Sequence, residues 1–252
     1  MIEAAAWGAI GASTLLLGAL LAFAFDLPAR IRGLILAFGA GALFGAVAYE
    51  LFEEAVNVAD AGLTVLVGFA IGALVFFVGS VAIDRMGSTR QGDDGLPDGQ
   101  RLASRRDPRT DGLAVLLGTV LDGIPESIVL GASLIGGAGV GIPVLVAIAI
   151  SNVPEGLSAT EDLTAAGFAR RRIVGLWTNV VVASTVAAGL GFALLSAAGP
   201  DVTAFVDAFA AGAILTMLAE SMIPEANEVG GRAVGLATAL GFAVAASLSL
   251  FV

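Results

Sequence analysis

Asp122 and Glu126 lie four residues apart in the apolar stretch "TVLDGIPESIVLGAS" (119–133), a spacing that stacks them on one face of a helix. Pro125 falls between them. A proline inside a helix cannot donate its backbone hydrogen bond, so the carbonyl one turn earlier, that of Leu121, is freed. The arrangement recurs in "SNVPEGLS", where Ser151, Asn152 and Glu155 share a face and Pro154 frees the carbonyl of Ile150. A third Pro-Glu pair follows at Pro224 and Glu225, one turn after Glu220. Thr119 and Ser133 extend the polar stripe of the first segment, and Ser158 and Asp162 that of the second. Carboxylate oxygens beside unpaired carbonyls are the chemistry of a cation site.

The segments that carry these residues read as membrane spans. Hydrophobic residues make up 58% of the 252, only 13% are charged, and 34 are glycine, a composition outside soluble usage. Apolar runs of about 20 residues, the length that crosses a bilayer, fall at about 4–25, 33–55, 62–84, 111–135, 141–165, 172–196, 203–226 and 232–251. The first carries Glu3 in place of a basic flank and exceeds a signal core in length, so it reads as a true span. A carboxylate near the bilayer centre costs at least about 2.5 kcal/mol and normally faces an interior path. Asp122, Glu126 and Glu155 therefore point to an ion pathway rather than to packing.

All 12 basic residues are arginines, and every one lies in a connection from an odd to an even span. The positive-inside rule makes those connections cytoplasmic and puts both termini outside. Residues 86–110, rich in Gly, Asp and Arg, read as a mobile cytoplasmic loop after the third span within one transmembrane domain covering 1–252. Tyr49, Glu50, Glu53 and Glu54 then sit near the outer end of span two, as solvated residues or as an entrance funnel. Glu225 and Glu228 hold the matching position at the inner end of span seven.

The chain's net charge of -10 excludes a nucleic-acid partner, which needs a basic face. With no His and no Cys, it has neither imidazole nor thiolate ligands, no disulfides and no Ser-His or zinc-protease chemistry. Asp122 lacks a partner aspartate in an intramembrane-protease motif, so no enzyme is expected.

Two segments align without a gap: "GALFGAVAYELFEEA" (41–55) in span two and "GAILTMLAESMIPEA" (212–226) in span seven. They would cross the membrane in opposite directions. "IPES" and "VPEG" stand in the same relation in spans four and five. Inverted repeats of this kind mark transporters whose site lies near midplane.

At these residues the chain resembles the ZIP (Zrt/Irt-like protein) family of divalent metal transporters, above all its prokaryotic branch. The likeness rests on "DGIPESIVLGAS" and "SNVPEGLSATEDLTAAGFARRRIVGLW", which match the family's "HNxPEG"-like motifs in its fourth and fifth spans. It implies a metal site formed by Asp122, Glu126, Ser151, Asn152 and Glu155, with Asp122 and Gly123 where the family usually has His-Asn. It implies Thr185 where many members carry a glutamate in span six, and Glu220 beside an acid seen in span seven. Oxygen ligands alone favour harder cations such as Mn²⁺, although Zn²⁺ and Fe²⁺ also accept carboxylates.

The expectation is therefore an all-α membrane protein, a bundle of eight transmembrane helices with inverted repeats, multi-pass in the cell membrane. It carries zinc, iron or manganese as substrate and has no cofactor. Its pathway includes Glu220, Asp162, Ser158, Thr119 and Ser133. Its partners are the divalent cation and the lipid bilayer, and the family adds a homodimer as an assembly open to it. The alternative is a transport-inactive relative that binds or senses metal.

Overall fold

The computed structural model describes residues 1–59, 62–88, 108–135 and 140–251, and among these there is no strand. In chain order come α1 (Ile2–Ala24), α2 (Ala29–Ala46), a π-helical turn (Val47–Phe52), α3 (Glu53–Val58), α4 (Gly62–Ser88), α5 (Pro108–Ala132) and α6 (Ile142–Ala165). They are followed by α7 (Arg170–Leu195), α8 (Pro200–Met217), a second π-helical turn (Leu218–Met222), α9 (Ile223–Gly230), a 3-10 turn (Gly231–Ala233) and α10 (Val234–Phe251). Of the loop expected at 86–110, residues 89–107 lie outside the described ones. Helix takes its two ends, because α4 runs to Ser88 and α5 begins at Pro108.

Among the described residues, six stretches are long and apolar enough to cross a membrane: Ile2–Ala24, Ala29–Val58, Gly62–Ile83, Ile142–Ala165, Arg170–Leu195 and Pro200–Leu250. The expected fourth span, α5, is helical but is not one of them. The expected seventh and eighth lie together in the 51-residue stretch Pro200–Leu250. Large apolar side chains such as Leu66, Leu74, Leu194, Leu236 and Leu240 are exposed, as a surface facing hydrocarbon requires.

The local sequence explains where the helices stop. Pro143 and Pro200 stand in the first turns of α6 and α8, where a missing N–H costs nothing. Past the end of α6, Gly167 adopts φ +85° and Phe168 N–H returns to Leu163 O at 3.0 Å, which satisfies a carbonyl that the helix leaves open. A second glycine, Gly231 with φ +70°, ends α9.

Glycines set which helices touch. Along α1 and α6, Gly11 meets Leu145 and Ile148 while Gly18 meets Val153 and Gly156, so positions advance together and the two helices are parallel. Three more pairs run the same way. In α5 and α7, Gly123 meets Ser184 and Gly131 meets Ala188; in α2 and α10, Gly41 meets Thr238 and Gly45 meets Ala245. In α4 and α8, Gly68 meets Phe205 and Gly72 meets Phe209. Small residues let backbones approach closely enough for dispersion to hold helices together where lipid supplies no hydrophobic drive.

Two of these pairs repeat one pattern. A Cβ on Gly41 would collide with the carbonyl of Thr238, and one on Gly241 with that of Phe38. In the other pair a Cβ on Gly212 would strike the carbonyl of Phe69, and one on Gly72 that of Phe209. The ungapped alignment of 41–55 with 212–226 places Gly41 opposite Gly212 and Val47 opposite Leu218. The two π-helical turns begin at Val47 and Leu218, so a packing contact and a rare backbone turn recur at matched positions. The likeness of these two Ala/Gly-rich segments is thus structural as well as compositional.

Candidate cation site

Both prolines stay inside continuous helix, Pro125 in α5 and Pro154 in α6, so the acids beside them are held on rigid elements. Glu126 is buried, with only 4% of its surface exposed, and its Oε1 has no hydrogen-bond partner. A carboxylate oxygen in that position is costly until a proton or a cation reaches it. Asp122 and Glu155 are partly buried, and Glu155 lies within electrostatic reach of Asp122, Glu126 and Glu225. Like charges brought together in a membrane interior repel unless a cation lies among them. No three acidic side chains among the described residues are gathered tightly enough to enclose one metal ion.

Neutral oxygens complete the surroundings. The Asn152 side chain, buried on α6, donates its Nδ2 to Gly11 O of α1 at 3.2 Å. That bond uses the amide's donor end and leaves Oδ1 as its acceptor end. Ser151, also buried, donates its hydroxyl back to Ile148 O at 3.0 Å. Beside Glu126, Ser127 donates to Gly123 O at 2.6 Å.

One oxygen offered by the sequence is closed off. The carbonyl of Ile150, freed by Pro154, lies 3.1 Å from where a Cβ on Gly39 would stand. Helix α2 therefore covers this carbonyl, because only a glycine lets its backbone come so near.

The remaining residues expected along a pathway fall into separate places. Thr119 is buried one turn before Asp122. Ser133 donates to Leu130 O and accepts from Gly141 N at 3.1 Å, tying the end of α5 to the start of α6. Ser158 donates to a Glu225 oxygen, and Asp162 lines the same cavity as both. Glu220 is exposed within the second π-helical turn and accepts from Ser80 of α4 at 2.7 Å, apart from the central acids.

Three residues stand beside groups named above although their sequence context gave them no role there. Ser184 of α7 is buried, and its Oγ lies 3.4 Å from the point a Cβ on Gly123 would occupy. Its neighbour Thr185 instead donates to Val181 O along its own helix. Asp207, a lone acid in "FVDAFAAG", is buried in α8 within electrostatic reach of Glu54. Arg32, which serves in the sequence only as a topology marker, stands in the cavity beside Asp162 and Glu225. No family model and no curated protein matches the chain.

Proposed function

We propose that this chain is a ZIP-like transporter of divalent metal cations, with zinc, iron or manganese as substrate, in a cell membrane. The observation that carries the reading is the buried, unpartnered Oε1 of Glu126 on a proline-containing helix, in electrostatic reach of Glu155 on a second such helix. Asp122, Glu126 and Glu155 would supply charge, and Asn152 and Ser151 neutral oxygens. Carboxylates rotate readily about their side-chain bonds. Their closure around an arriving dication is the step that the reading requires.

The packing is consistent with eight crossings, and it is the arginine placement that would put both termini outside. The crossings would be α1, α2 with α3, α4, α5, α6, α7, α8 with α9, and α10. In a chain that returns at every connection, parallel partners must be separated by an odd number of other crossings. All four glycine-packed pairs obey this. The same numbering makes the matched segments 41–55 and 212–226 cross in opposite directions, an inverted repeat.

With all three acids ionised, a bound dication leaves net charge -1, and protonation of one acid would ease release. The reading needs no cofactor, nucleic acid or enzymatic step, and a homodimer is compatible with it. The test is uptake of Mn²⁺, Fe²⁺ and Zn²⁺ into liposomes carrying the purified protein, in high salt. Uptake should be seen for at least one metal and be lost in Glu126→Ala and in Glu155→Ala. Metal bound without any uptake would favour the transport-inactive alternative, and uptake indifferent to both substitutions would sink the site.

A further inference from the structure

A cavity of about 180 Å³ opens between the start of α2, the second half of α6 and α9. It reaches Pro154, the residue before Glu155. On the topology proposed above it is the inner vestibule, and the inference below rests on that reading. Asp162, Glu225 and Glu228 line it, with one basic residue, Arg32. A cation leaving Glu155 inward would pass the positive charge of Arg32.

Arg32 is held in an unusual way. Its guanidinium pairs with Glu161 on α6, while its Nε is buried without a partner. A guanidinium settled into a purely structural role normally engages its donor fork more fully. Its charge also acts on Asp162 and on Glu225. The neighbouring Gly33 packs directly on the backbone of Gly230, which pins the main chain of α2 here. Movement is left to the long side chain of Arg32, which carries its charge on a flexible stem.

We propose that Arg32 is a tethered counter-cation that gates the inner vestibule. Parked on Glu161, it acts on Asp162 and Glu225 only at a distance and leaves their oxygens open to a departing metal ion. Swung away from Glu161, it neutralises those two acids itself and closes the exit. The vestibule thus has two positions for one positive charge, and Glu161 sets the balance between them.

This assigns opposite effects to the two members of one ion pair. In liposomes loaded with the full-length protein, Arg32→Gln should raise the initial rate of Mn²⁺ uptake, or of whichever metal the wild type carries. Glu161→Gln should lower that rate, each by about threefold, the scale of a partly exposed ion pair. The double variant should behave as Arg32→Gln, since a missing gate cannot close. Arg32→Lys, which keeps the charge, should stay close to wild type. A structural ion pair would instead slow both single variants together, with matching losses of monodisperse protein, and that result overturns the inference while leaving metal transport intact. If the wild type moves no divalent metal, the transport reading fails and the gate fails with it.

Discussion

The Asn152 amide donates to Gly11 O at 3.2 Å, so the residue that offers an oxygen to the candidate site also moors α6 to α1. Asn152→Ala should therefore cost twice. Loss of one buried hydrogen bond should lower stability by about 1 kcal/mol, measured as a fall in the midpoint of thermal unfolding in detergent. Metal affinity should fall as well. Asn152→Asp keeps an oxygen but sets a carboxylate against the Gly11 carbonyl, and should unfold earlier still.

The glycine contacts predict a sharp division among substitutions of the same size. Gly41→Ala and Gly212→Ala drive a methyl into the carbonyls of Thr238 and Phe69, and backbone cannot step aside cheaply. Both variants should lose most monodisperse protein on size exclusion. Gly175→Ala and Gly235→Ala meet nothing within 4 Å and should elute as wild type.

Gly123 and Gly131 share α5 but should respond differently. At Gly123 the nearest atom to a new methyl is Ser184 Oγ at 3.4 Å, an ordinary contact, whereas at Gly131 the methyl would strike Ala188 O. Gly123→Ala should keep the wild-type unfolding temperature and Gly131→Ala should not. Gly123→Asn, which adds a neutral amide oxygen beside the acids, should change the balance between metals by one more oxygen ligand. A competition assay between Zn²⁺ and Mn²⁺ reads that shift.

Trp177 is buried and its indole donates to Thr160 Oγ1 at 2.8 Å, linking α7 to α6. Thr160→Val preserves the shape and removes the acceptor. It should destabilise by about 1 to 3 kcal/mol, the cost of leaving a buried donor unpaired. Loss of near-ultraviolet circular dichroism at a lower temperature would register it. An unchanged melting curve would show that the bond contributes nothing.

Much of this was legible in the residues themselves. Long apolar runs declare helices, and the Pro-Glu pairs mark where two of them carry charge. The match of 41–55 with 212–226 was legible too, but not the π-helical turn that the two segments share. Partner choice was not legible, because helices rich in Ala and Gly look alike on every face. Only the fit of a particular glycine to a particular carbonyl decides it. For the same reason the sequence could not tell that Gly39 covers the Ile150 carbonyl, or that Ser184 rather than Thr185 faces Gly123. Arg32 was hidden by its own clarity as a topology signal, which left no reason to give it a second role.

The glycine-on-carbonyl contacts also bear on how descent should be traced. At Gly41, Gly72, Gly212 and Gly241 every alternative residue brings a Cβ into a main-chain oxygen, so drift has nowhere to go. Acids in a metal pathway can exchange with other ligands as the cargo changes. A search for distant kin should accordingly weight the spacing of these four glycines above the identity of the ligands, for they are the part of the chain least free to forget its ancestry.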